Sequence, residues 1–115
     1  MDGEITVAEL KHALESDDPL VVDIRHPSAF ARTHIAGSVN IPLERLPAEI
    51  GRVADADHVV TVCPHGKASI RAARLVESFG GFNGTVESLQ GGLEAWDGPV
   101  DSSTENRGDA VDAPF

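Results

Sequence analysis

The spacing of apolar positions changes several times along the chain, and each change marks an element. Thr6-Val7-Ala8-Glu9 has the spacing of a capping box, with Thr6 before the helix and Glu9 three residues on. A helix is predicted from there to about Glu15, with Val7, Leu10 and Leu14 on one face. Ser16-Asp17-Asp18-Pro19 breaks it. Residues 20–24 form a short, mostly apolar run, as a strand buried on both faces requires. Pro27 and Ser28 open a short helix that runs to Arg32. Residues 38–41 read as a strand bounded by Gly37 and Pro42. A helical stretch is expected over residues 43–53, with Pro47 starting a new turn inside it.

The second half is patterned more sharply. Residues 58–63, His-Val-Val-Thr-Val-Cys, are the clearest strand because they are rich in β-branched side chains. Pro64-His65-Gly66 ends it. A helix is predicted from Lys67 to Phe79, with Ile70, Ala73, Leu75, Val76 and Phe79 toward the core. Arg71, Arg74 and Glu77 fall on its outer face. Gly80-Gly81 supplies a left-handed stop. Residues 85–89 are a last strand, and Gly91-Gly92 leads into a short helix through Trp96. From about residue 101 to 115 the chain is rich in Ser, Asp, Gly and Ala, so a disordered acidic tail is expected after a domain spanning residues 1–100. Alternating strands and helices imply one α/β domain with a mostly parallel sheet.

Charge narrows the choice of partners. Nineteen acidic residues face nine basic ones, for a net charge of −10, and only Lys11 and Lys67 are lysines. Such a surface repels phosphate backbones, so no nucleic-acid partner is expected. No run of about 18 apolar residues suits a membrane span, and the acidic start Met1-Asp2-Gly3-Glu4 lacks an apolar leader core, so a cytoplasmic location is expected.

The single cysteine, Cys63, excludes an internal disulfide and a thiolate-rich zinc site. It is an inert buried thiol, an intermolecular partner or a nucleophile. Its position favours the nucleophile. In parallel α/β sheets, ligands bind beyond the carboxyl ends of the strands. Cys63 stands at such an end, followed by the turn Pro64-His65-Gly66-Lys67-Ala68-Ser69 and a helix start. That turn directs backbone N–H groups and the positive helix end toward the sulfur. Lys67 and Arg71 are the nearest cations in sequence and would lower the thiol pKa further. Each residue also has a plainer reading. His65 is a substrate contact or an exposed turn residue, Lys67 and Arg71 bind anions or are solvated helix positions, and Gly66 serves a ligand or only the turn.

These residues resemble the rhodanese family, in particular its small single-domain members. Residues 63–69 match the family's pattern of Cys, two residues, Gly, two residues, Ser or Thr. Val22-Asp23-Ile24-Arg25 is similar to its Asp-Val-Arg segment, and residues 34–42 to its His-Ile-Pro-Gly-Ala-x-Asn-Ile-Pro motif. Gly91-Gly92-Leu93-Glu94-Ala95-Trp96 resembles its closing Gly-Gly-x-x-x-Trp. The resemblance implies a three-layer domain, a five-stranded mostly parallel sheet flanked by helices. It implies Cys63 as the sulfur acceptor, with the backbone from Pro64 to Ser69 as its cradle. Asp23 and Arg25 would lie near the mouth, touching substrate or fixing the strand end. Gly37, Pro42 and Trp96 would be architectural. Ala29, Thr33 and Ala36 depart from the family's common Glu, Gly and Pro at those places.

The implied activity is that of a thiosulfate sulfurtransferase. Sulfur from thiosulfate or a persulfide would pass through Cys63 to cyanide, a thiol or a protein acceptor, with no metal or organic cofactor. A second reading is a sulfur-relay module that serves a protein partner without turnover of its own. A third is a Cys-dependent phosphatase or arsenate reductase on the same fold. That class needs Arg six residues after the Cys, where this chain has Ser69. The acidic, lysine-poor composition suggests adaptation to high salt. The urea midpoint of unfolding is then expected to rise in molar potassium chloride; a flat or falling midpoint contradicts this.

Overall fold

The capping box at the start of the chain forms as its spacing demands. The computed structural model describes residues 3–102. Thr6 Oγ1 accepts from the Glu9 amide at 3.1 Å, and Glu9 Oε1 accepts from the Thr6 amide at 2.9 Å. Two otherwise orphaned donors are satisfied, and α1 (Val7–Ser16) follows. Leu10, fully buried, anchors this helix to the sheet.

The main sheet has five parallel strands in the order β1 (Glu4–Ile5), β6 (Thr85–Leu89), β5 (His58–Val62), β2 (Leu20–Asp23) and β4 (Val39–Asn40). Its central strand, β5, has no accessible surface from Val59 to Val62, which is why this segment is β-branched rather than alternating. Burying each valine stabilises the fold by about 2 kcal/mol. The pleat divides the core in two. Val22, Val59 and Cys63 face Ala72 and Val76 of α3 (Ala68–Ser78), together with Leu46, Val53 and Phe82. Val21, Val60 and Val62 face Leu10 of α1 and Trp96, which follows α4 (Gly92–Ala95). The result is the expected three-layer α/β domain. The remaining elements are α2 (Pro27–Arg32) and an antiparallel pair, β3 (His34–Ile35) with β7 (Val100–Asp101).

Several expectations need correction. Residues 43–53 do not form a helix but two single 3-10 turns, Leu43–Arg45 and Ile50–Arg52. Pro47 lacks the N–H a continuous helix needs, and Leu46 and Val53, both fully buried, pin the irregular path. Phe79 does not join the core. It caps α3 in an extended conformation and is 36% exposed, while Phe82 fills the core position. Neither Gly80 nor Gly81 is left-handed. Three of the four two-residue strands, β1, β3 and β7, are too short for any periodicity to reveal. Where the acidic tail was expected to begin, at about residue 101, Asp101 belongs to β7 and Ser102 Oγ donates to the Ala31 carbonyl at 3.0 Å. The rest of the expected tail, residues 103–115, lies outside the described residues. Among the described residues, no helix is long and apolar enough to cross a membrane.

Thr6→Ala removes one half of the capping box and is expected to lower the unfolding free energy by about 1 kcal/mol without changing the fold. Equilibrium urea unfolding checks this, and a midpoint equal to the wild type contradicts it.

Candidate active site

The loop between β5 and α3 folds back over the end of its own strand, and its shape depends on two glycines. Gly66 has φ +85°, a left-handed conformation. A Cβ there would lie 2.8 Å from the Gly91 amide nitrogen. Gly92, at φ +66°, presses against the loop from the other side, and a Cβ on it would lie 2.7 Å from the His65 amide nitrogen. Two backbones thus touch with no side chain between them. The contact is reinforced where the Leu93 and Glu94 amides donate to the carbonyls of Cys63 and Pro64, at 2.8 and 3.0 Å.

That wrap aims the amides inward. The Gly66 N–H meets the Cys63 sulfur at 3.1 Å and the Ser69 N–H meets it at 3.3 Å. Ser69 is the second residue of α3, so its amide is one of the donors that a helix start leaves free. Ser69 Oγ lies 3.3 Å from the sulfur as well. Burial pushes the Cys63 thiol up in pKa. The Ser69 hydroxyl, then the amides of Ser69, Gly66 and His65, act the other way and leave it below its ordinary value.

Cys63 is enclosed, with 2% exposure. It belongs to the core cluster of Val59, Ala72 and Val76, yet its sulfur is also within hydrogen-bonding reach of two amides and a hydroxyl. Beside the loop, a groove of about 380 Å³ is lined by Arg25, Thr33, Pro64, His65, Leu93, Glu94, Trp96 and Val100.

The predicted site residues separate into groups. Gly66 and Ser69 meet the sulfur directly, and the His65 amide helps to lower its pKa. The His65 ring is exposed and pairs with Glu94, Nδ1 to Oε1 at 2.9 Å. The Pro64 ring is exposed, and Ala68 is half-buried against the core. Lys67 and Arg71 were expected to lower the thiol pKa; the hydrogen bonds from Ser69, Gly66 and His65 account for its lowering, and both cations are exposed. Lys67 is exposed before the first turn of α3. Arg71 is exposed too and lines a different groove with Leu43, Glu44, Pro47 and Leu75. The fork a phosphatase would need is therefore not at the sulfur.

Asp23 and Arg25 lock each other. Asp23, 1% exposed, accepts from the Arg25 amide at 3.0 Å, from Nε at 3.0 Å and from Nη2 at 2.8 Å. Arg25 Nη2 also donates to the Thr33 carbonyl at 2.6 Å. Asn40 Nδ2 donates to the carbonyls of both Asp23 and Arg25, each at 2.9 Å. These contacts fix the end of β2, and Arg25 still forms part of the groove wall.

Two contributors escaped the sequence reading. Gly92 was read as the start of a short helix and as part of the closing Gly-Gly motif, but not as the residue whose lack of a side chain allows the loop to close. Ser88, on β6, lies 2.6 Å from Ser69 Oγ, Oγ to Oγ, in a fully buried position. Its signal was weak, a polar residue at an inward position of a strand.

Comparison with known proteins agrees with this geometry. The profile of the Rhodanese-like domain matches residues 6–98. The chain is 38% identical over 99 residues to the thiosulfate sulfurtransferase GlpE of Stutzerimonas stutzeri, covering 85% of this chain and 88% of that one. It is 27% identical over 99 residues to YrkF of Bacillus subtilis, named as a sulfur carrier protein, covering 85% of this chain and 52% of that one. Among solved structures, the rhodanese-like domain of Alr3790 from Anabaena superposes with a TM-score of 0.78 at 26% identity, covering 100% of this chain and 90% of that one. From its cysteine loop to its closing Gly-Gly-Leu-Glu-Ala-Trp, the chain belongs to the rhodanese-like domain family.

Proposed function

We propose that this protein is a thiosulfate sulfurtransferase that carries sulfur on Cys63. The observation that carries this reading is the sulfur itself, 3.1 Å from the Gly66 amide and 3.3 Å from the Ser69 amide at a helix start. The likeness to GlpE supports it.

The reaction has two halves. In the first, the Cys63 thiolate attacks the outer sulfur of thiosulfate. The new bond joins Cys63 Sγ to that sulfur, the S–S bond of thiosulfate breaks, and sulfite leaves with the bond's electron pair. In the second, cyanide or a thiolate attacks the outer sulfur of the persulfide, and Cys63 leaves as a thiolate. Thiocyanate or a new persulfide is released, and no proton or external electron is consumed. The thiolate is thus the nucleophile of one half and the leaving group of the other. Donors that stabilise it serve both halves. The amides of His65, Gly66 and Ser69 provide the stabilisation, and the groove beside the loop, walled by Arg25, His65 and Trp96, is the proposed approach for donor and acceptor. A thiol that must be regenerated in each cycle suits a reducing compartment, which supports a cytoplasmic setting.

The 2% exposure of Cys63 and the likeness to a protein named as a sulfur carrier favour one second reading, a relay to a protein acceptor. The small-molecule assay separates the two. A relay gives negligible thiosulfate:cyanide turnover yet still becomes persulfidated.

Cys63→Ser is expected to abolish transfer to cyanide while leaving the circular dichroism spectrum intact. The wild type should gain one sulfur atom at Cys63 after thiosulfate treatment, as read by mass spectrometry. Undiminished turnover by the variant contradicts the reading.

The lowered thiol also links stability to pH. Because the folded-state value is depressed, the thiolate's contribution is full above the unfolded-state value and is lost as pH falls through the folded-state one. The stability advantage of the wild type over Cys63→Ala, measured by urea unfolding, should therefore grow as pH rises through that window. An advantage that shrinks with rising pH contradicts the account.

A further inference from the structure

Behind the candidate site lies a chain of three buried polar groups that the two-step reaction does not itself require. Ser88 is the residue of β6 in register with Thr61 of β5, so both side chains emerge on the α3 face. Ser69, Ser88 and Thr61 are fully buried. Thr61 Oγ1 donates to the Ser69 carbonyl at 2.7 Å, which holds the first turn of α3 over the sheet. Ser88 Oγ sits 2.6 Å from Ser69 Oγ, and Ser69 Oγ sits 3.3 Å from the sulfur.

The direction of the hydrogens in this chain follows from counting donors. Each serine hydroxyl has one proton to give. Among the described residues, Ser88 Oγ has no acceptor other than Ser69 Oγ. If Ser69 donated to Ser88, the Ser88 proton would be buried without a partner, which is unfavourable. If Ser88 donates to Ser69, its proton is satisfied, and the Ser69 proton must then point at the sulfur. In the neutral state the Cys63 thiol is the donor to Ser69 Oγ; a thiolate can only accept, and with Ser88 donating to Ser69 every hydroxyl proton is then bonded.

We propose that Ser88 is a positioning residue of the site, whose hydroxyl donates to Ser69 and so commits the Ser69 hydroxyl to the Cys63 sulfur in its anionic form. This rests on the sulfurtransferase reading for its consequence in turnover, but not for its effect on the thiolate. The charged groups around the chain are engaged or turned outward. Asp23 at the end of β2 is held by Arg25, His65 pairs with Glu94 of α4, and Glu87 of β6 pairs with His58 of β5. Lys67 and Arg71 beside α3 are exposed. The lowered pKa of Cys63, to which the Ser69 hydroxyl contributes, agrees with this arrangement.

The test measures alkylation of Cys63 by iodoacetamide across pH, alongside thiosulfate:cyanide turnover, in wild type, Ser88→Ala, Ser88→Cys and Ser88→Thr. Thermal unfolding establishes that each variant is folded. Ser88→Ala removes the hydroxyl, Ser88→Cys keeps its volume with a weak donor, and Ser88→Thr restores a donor. The alkylation midpoint is expected to move to higher pH in the Ala and Cys variants, with kcat/KM at neutral pH lower by about three- to tenfold. A folded Thr variant should return toward the wild-type profile. In a Ser69→Ala background, Ser88→Ala should add no further shift. Wild-type midpoints in both the Ala and Cys variants would overturn the proposal, as would a shift that adds fully to that of Ser69→Ala. A wild-type protein without turnover or persulfidation would instead sink the sulfurtransferase reading, and the alkylation profiles would still decide the role of Ser88.

Discussion

A sulfur anion placed under a protein surface loses the water that stabilised it, and something must replace that water. In this chain the replacement is main-chain N–H, aimed by a loop that closes on itself. Cys63 has almost no exposure, so desolvation works against the thiolate, yet the hydrogen bonds from Ser69, Gly66 and His65 outweigh it. The amides can converge only because the loop is tightly wound. It can be so wound only because Gly66 and Gly92 let two backbones meet without a Cβ between them. The proposed chemistry depends on that steric allowance.

The rest of the fold holds this arrangement in place. β5 is buried from Val59 to Val62 and delivers Cys63 to the carboxyl end of the sheet. α3 begins six residues after Val62, and Thr61 bonds back to its first turn, so strand and helix meet at a fixed distance. On the opposite side of the loop, α4 holds the Cys63 and Pro64 carbonyls through the Leu93 and Glu94 amides. Asp23, Arg25 and Asn40 perform the same service for the neighbouring strand end. Lys67 and Arg71 lie at the right places in sequence but are exposed, and short hydrogen bonds account for the lowered thiol pKa.

Legibility in the sequence followed the same physics. β5, α3 and α1 were readable because burial on one face or both imposes a long pattern, and Thr6 and Glu9 announced the helix start. The 3-10 turns around Pro47 were not, since Leu46 and Val53 are held by tertiary packing that has no local period. β1, β3 and β7 are two residues each and exist only through their partners. Phe79 looked like a core residue from its spacing, but the helix ends one residue too early for it. At the site, Cys63, Gly66 and Ser69 could be named because they lie within one short run. Gly92 and Ser88 could not be assigned their contacts, because each acts on that run from 19 or more residues away in sequence.

The central claim is that hydrogen-bond donors lower the pKa of the buried Cys63 thiol without help from Lys67 and Arg71. Titration of the thiolate's ultraviolet absorbance, taken as the difference between wild type and Cys63→Ala, reads this directly. The account requires a midpoint below the ordinary thiol range that is little changed when Lys67 and Arg71 are both replaced by alanine. A midpoint at or above the ordinary range, or one that climbs back to it when those two cations are removed, would contradict it.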